Sequence, residues 1–134
     1  DIADEIHLMA YDGYGKHSTF ESAMADTAIL MTRHRLSPAK LILGIPYYGR
    51  NFNPRSDGYW IDAKNYSDIV KEFSPGASDD TAGEYFFNGR STVVKKTEWA
   101  VANSLGGIFV WEPFYDADGE DSLTEEIHRV LTEN

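Results

Sequence analysis

Three clusters of side chains in this chain could do chemistry together: Tyr11-Asp12, Tyr47-Tyr48-Gly49-Arg50 and Trp111-Glu112. They combine aromatic faces, carboxylates and a guanidinium, a set suited to gripping a polar ring such as a sugar: rings stack on its C–H face while charged groups meet its hydroxyls. Each cluster closes a short apolar run, at residues 6–10, 41–45 and 108–110. Runs of this kind, bounded by turn chemistry, read as strands buried on both faces, as in parallel α/β sheets. Ligands of such sheets sit beyond the carboxyl ends of the strands, where loops converge. Three strand ends carrying complementary groups therefore point to one shared site.

The same residues carry a family resemblance. Met9-Ala10-Tyr11-Asp12 resembles the Met-x-Tyr-Asp motif on the sixth barrel strand of glycoside hydrolase family 18, the chitinases. Residues 40–50, Lys-Leu-Ile-Leu-Gly-Ile-Pro-Tyr-Tyr-Gly-Arg, are similar to that family's seventh strand. Gly106-Gly107-Ile108-Phe109-Val110-Trp111-Glu112, with Asp116 and Ser122-Leu123 after it, resembles the eighth strand and closing helix. The resemblance spans nearly the whole chain in the family's order. It implies an α/β fold: the C-terminal portion of a (β/α)8 TIM barrel with a small α+β insertion between the last two strands. The implied divisions are 1–50 for strands six and seven with their helix, 51–104 for the insertion, and 105–134 for strand eight and the closing helix. The family's acid signature, Asp-x-x-Asp-x-Asp-x-Glu on the fourth strand, occurs nowhere in these residues. By this reading the chain alone is inactive.

The family cleaves β-1,4-linked N-acetylglucosamine polymers with retention, the substrate's own acetamido oxygen acting as nucleophile. The resemblance implies that Tyr11 donates to that oxygen, Met9 shapes the pocket floor and Asp12 accepts from sugar hydroxyls. Arg50 and Tyr48 contact sugar oxygens, and Trp111 lies beneath the sugar next to the scissile bond. Tyr59, Trp60 and Tyr85 are candidates for an outer subsite, although packing is the favoured reading for all three. On position alone, Tyr11 could be an ordinary strand-end aromatic, Trp111 a core residue and Arg50 a surface ion-pair partner. Tyr47 reads as core, and Glu112 as structural or a loop anchor. A non-catalytic chitinase-like glycan-binding protein would share all of these residues. The implied partners are chitin or an N-acetylglucosamine-containing glycan and the N-terminal half of the barrel. The implied location is secreted or extracytoplasmic.

Length and composition set outer limits. A complete eightfold barrel takes roughly 250 residues, and this chain has 134. A net charge of −10 disfavours nucleic acid, which calls for a basic footprint. No apolar run approaches the roughly 20 residues of a membrane span. With no cysteine and four histidines (His7, His17, His34 and His128) lacking ligand spacing, neither a metal site nor a cofactor is expected. Asp116-Ala-Asp118-Gly119 puts its glycine too early for a calcium loop.

Between the strands, Ser18-x-x-Glu21 has the spacing of a capping box. Phe20, Met24, Thr27, Met31 and His34 follow at helical spacing. A short helix is predicted over residues 66–73, and a hairpin around Asn88-Gly89 with strands at 85–87 and 91–94. A helix is expected over 95–104 with Trp99 and Ala102 inward. A last one opens with a second capping box at Ser122-x-x-Glu125.

Overall fold

A computed structural model describes residues 2–53 and 62–133. Three parallel strands form its centre: β1 (Ile6–Leu8), β2 (Leu41–Pro46) and β7 (Gly107–Trp111), in the order β1-β2-β7. Pairing sets Ile6 opposite Leu41, and Pro46 opposite Trp111. All six residues of β2 are buried, which is why its sequence does not alternate. Helix α1 (Phe20–Thr32) makes the crossover from β1 to β2. The three strands run in one direction, so the segments following them gather at a single end of the sheet.

After β2 the chain turns directly into a second, antiparallel sheet. It comprises β3 (Tyr48–Asn51), β4 (Ala63–Asn65), β5 (Thr81–Ala82) and β6 (Tyr85–Phe86), in the order β4-β3-β6-β5. Helix α2 (Tyr66–Phe73) follows β4, α3 (Arg90–Ala102) leads back to β7, and α4 (Leu123–Glu133) closes the chain. The main core joins Ile45, Tyr47, Tyr66, Ile69, Phe87, Val93 and Leu123. Tyr47 is fully buried, as its sequence reading proposes, and its hydroxyl meets Thr124 Oγ1 at 3.0 Å.

The helices at 66–73 and after Ser122 form where the sequence predicts them, and Ser122 Oγ accepts from the Glu125 N–H at 3.2 Å. Three local expectations are corrected. The cap of α1 is Thr19, whose side chain accepts from the Ser22 N–H; the Ser18 hydroxyl is occupied elsewhere. Asn88-Gly89 is not a hairpin turn. The hairpin joins β5 to β6 through Gly83-Glu84, with Gly83 at φ +56°, and Val93 and Val94 lie on α3. The Asn88 amide is consumed by buried contacts, and Gly89 caps α3 with its N–H given to Asp80 Oδ1. A Cβ at Gly89 would stand 2.3 Å from the Asp79 carbonyl oxygen, so close backbone approach is what requires glycine there. Finally, the buried face of α3 is Thr92, Val93, Lys96, Thr97 and Ala100, while Ala102 is exposed and Trp99 only half-buried. A fully buried lysine disguises that face as polar. Among the described residues, no helix is long and apolar enough to cross a membrane.

Candidate functional site

The segment after β1 carries the first group of side chains. Asp12 adopts a left-handed backbone (φ +64°), which Asp tolerates better than most residues. That conformation brings its carboxylate toward β3. There Asp12 Oδ1 accepts from the Tyr48 hydroxyl at 2.7 Å and from Arg50 Nε at 2.6 Å. Tyr48 is buried, and the Arg50 guanidinium lies 5.7 Å from the Tyr48 ring centre. Burial raises the Asp12 pKa, but the bonds from Arg50 and Tyr48 outweigh it and the net direction is down. The carboxylate is therefore ionised at neutral pH. Its second oxygen has no hydrogen-bond partner among the described residues.

Tyr11 packs edge-on against Tyr48 and Phe109, with ring centres 6.1 and 6.2 Å away. Burial and then the Asp12 charge raise its pKa, so the phenol keeps its proton and remains a donor. Among the described residues its hydroxyl has no partner. Trp111, last residue of β7, is 54% exposed in this chain. The peptide bond between Trp111 and Glu112 is cis. Glu112 turns the chain, its carbonyl accepting from the Tyr115 N–H at 3.0 Å.

Met9, Tyr11, Asp12, Tyr48, Arg50 and Trp111, the six residues given sugar-contacting roles by the resemblance, line one cleft of about 520 Å³. Ala63, Asn65 and Tyr115 complete the wall and were not nominated from the sequence. Ala63 and Asn65 come from β4, which pairs with β3 opposite Arg50 and Tyr48. Nothing in the short Ala-Lys-Asn strand announces that pairing. Tyr85 is not on the cleft wall; its hydroxyl donates to Asp62 Oδ1 at 2.8 Å, in keeping with the packing reading. Tyr59 and Trp60 lie outside the described residues. Behind the wall sits His17, treated in the sequence only as a histidine without metal-ligand spacing. Its buried ring stacks on Tyr48, with centres 5.3 Å apart, and its Nδ1 accepts from the Asp12 N–H at 3.2 Å. Burial pushes its pKa down to about 4, so the ring is neutral. No group of three or more potential metal ligands occurs among the described residues.

The arrangement offers a protonated phenol, an anchored carboxylate, a guanidinium and an exposed indole around one open space. That is a set for orienting a neutral polar ring. Among the described residues lining the cleft, the one carboxylate is that of Asp12.

Comparison with known proteins gives a consistent picture. Residues 1–116 match the sequence profile of the glycosyl hydrolases family 18. The chain is 27% identical to Chitinase 1 of Aphanocladium album, an alignment covering 97% of this chain and 40% of that protein. Among solved structures it is similar to the GH18 chitinase ChiB of Flavobacterium johnsoniae, with 34% identity, a TM-score of 0.82, and coverage of 97% and 43% of the two chains. It is also similar to a chitinase of Bacteroides thetaiotaomicron, with 26% identity, a TM-score of 0.85, and coverage of 98% and 46%. The chain thus spans less than half the length of each of these relatives.

Proposed function

The chain belongs to glycosyl hydrolase family 18, and from that membership we propose that it is the substrate-gripping, C-terminal part of a chitinase-type barrel. In this reading β1, β2 and β7 are barrel strands six to eight, and the antiparallel sheet with its helices is the insertion between the last two. The rest of the intact protein pairs with the outer edges of β1 and β7 and supplies the acid for the leaving oxygen. The substrate is chitin or a related β-1,4-linked N-acetylglucosamine glycan, which suits a secreted or extracytoplasmic protein.

The observation that carries the reading is the convergence of Tyr11, Asp12, Arg50 and Trp111 on one cleft, with the Tyr11 hydroxyl unpartnered among the described residues. Trp111 supports the apolar face of the sugar at the scissile bond. Tyr11 donates to the acetamido oxygen as that oxygen swings onto the anomeric carbon. Carbonyl oxygen becomes nucleophile in this step, the acetamido group takes up positive charge, and the leaving oxygen departs with a proton from outside this chain. A donor already in place holds the acetamido oxygen in line with the anomeric carbon, so its contribution is one of orientation. Asp12 keeps Tyr48 and Arg50 in register and offers its second oxygen to sugar hydroxyls.

Steady-state kinetics of the intact protein on a chromogenic N-acetylglucosamine oligomer test this. Tyr11→Phe is expected to lower kcat roughly tenfold to a hundredfold with a smaller change in KM, as for an attacking group no longer held in line. Trp111→Ala should damage both parameters, because stacking holds the ground-state sugar too. An unchanged kcat in Tyr11→Phe would remove Tyr11 from the mechanism. Binding without any hydrolysis would instead favour a chitinase-like glycan-binding protein.

A further inference from the structure

The backbone on both sides of Tyr11 is held by one dipeptide. Ser18 Oγ donates to the Ala10 carbonyl at 2.6 Å, His17 Nδ1 accepts from the Asp12 N–H at 3.2 Å, and the His17 carbonyl accepts from the Gly13 N–H at 2.9 Å. Three attachments, at Ala10, Asp12 and Gly13, therefore flank Tyr11, a residue of the cleft wall. The dipeptide is anchored in turn. Asn88 Nδ2 donates to the Ser18 carbonyl at 2.7 Å, and Lys96 Nζ donates to the Ser18 carbonyl, Ser18 Oγ and Asn88 Oδ1 at 3.0, 2.8 and 2.7 Å. His17, Ser18, Asn88 and Lys96 are all buried.

A lysine at the bottom of a domain is costly unless its protons are taken up. Here burial lowers the lysine pKa to about 7, and its amine has three neighbours within hydrogen-bond distance, none of them a carboxylate. The cost is explicable if the node serves geometry, because hydrogen bonds of fixed direction locate Ser18 more tightly than apolar packing would. His17 serves the same end. An Asp12 in the left-handed region has an N–H that no strand or helix uses, and Nδ1 accepts it while the ring face braces Tyr48. One histidine therefore touches both the backbone of Asp12 and the side chain that binds its carboxylate.

We propose that His17 and Ser18 are positioning residues that hold Tyr11 and Asp12 in the geometry required by the sugar, with Lys96 and Asn88 as their anchor. This rests on the assignment of Tyr11 to the acetamido group. It requires a particular tautomer: since the Asp12 N–H must donate, Nδ1 must be bare and the ring proton must sit on Nε2, a buried atom with no partner among the described residues.

The test uses the intact protein with 15N-labelled histidine, and a chromogenic N-acetylglucosamine oligomer as substrate. In the wild type at pH 6 to 7, His17 should show the neutral Nε2–H tautomer, a readout that needs neither a variant nor activity. His17→Asn keeps a short acceptor near the Nδ1 position, whereas His17→Gln carries its amide past it. The Gln variant is expected to lower kcat at least about tenfold, since misplacement by an ångström costs up to ~100-fold, with KM less affected. The Asn variant should recover most of the loss. An Nδ1–H or protonated ring in the wild type would overturn the proposal, as would equal kcat in wild type and a folded Gln variant. If the wild type proves inactive, the functional reading fails by itself, and the tautomer still decides whether His17 holds Asp12.

Discussion

Replacing Asp12 separates the two tasks assigned to it. Asp12→Ala removes the oxygen that Tyr48 and Arg50 share and leaves an alanine at φ +64°. Tyr48 is buried as a residue and its bond to Asp12 partly so, and losing a charged acceptor there costs about 1.5–3 kcal/mol. The Arg50 contribution is discounted, because the Asp12 side chain is 42% exposed and water screens the pair; about 0.5–1 kcal/mol is appropriate. Alanine in the left-handed region adds roughly 1 kcal/mol. The total is about 3–5 kcal/mol. Asp12→Asn keeps a carbonyl acceptor and a residue at home in that backbone region, so only the charge is lost, at about 1 kcal/mol. Urea unfolding of the intact protein, extrapolated linearly, measures both. If the two variants agree within about 0.5 kcal/mol, neither the shared oxygen nor the backbone conformation matters as argued, and the account of the site's rigidity is wrong.

Other perturbations have equally definite outcomes. Burial pushes His17 from 6.5, ordinary for imidazole, down to about 4, against the opposing charge of Asp12 and with the help of Arg50 and Lys96. The unfolded chain therefore takes up the proton first, and stability should fall as pH drops from about 6.5 to about 4. This one ring accounts for roughly 2–4 kcal/mol of that fall. Urea midpoints across that range should show it in the wild type, and His17→Asn should flatten the slope by that amount. Gly44→Ala should be strongly destabilising: its Cβ would lie 2.7 Å from the Leu8 carbonyl oxygen and 2.6 Å from Phe109 Cζ. About 2–3 kcal/mol is expected from such overpacking, read as a lowered melting temperature, and an unchanged one would mean that the three strands are not packed as described.

The three parallel strands are legible because each is a compact apolar run with a polar cluster after it, and Tyr11, Asp12, Tyr48, Arg50 and Trp111 of those clusters line the cleft. The second sheet was legible only as an interruption. Its strands are two to four residues long, and Asn88-Gly89 imitates a turn while Asn88 serves the buried lysine node. Nothing in the sequence marks Lys96 and Thr97 as buried on α3, because polarity is the usual sign of exposure; in the fold Lys96 bonds Ser18 and Asn88, and the Thr97 hydroxyl donates to the Val93 carbonyl at 2.8 Å. His17 is illegible in the sequence for a related reason: its contacts depend on the left-handed turn at Asp12, which sequence spacing does not reveal.

The central claim is that this cleft takes an N-acetylglucosamine unit with Tyr11 at its acetamido group. A crystal structure of the intact protein with a chitin tetramer tests it most directly. A sugar stacked on Trp111, its acetamido oxygen within about 3 Å of the Tyr11 hydroxyl, is the predicted result. A tetramer bound away from Trp111, or with its acetamido group turned from Tyr11, would contradict the account.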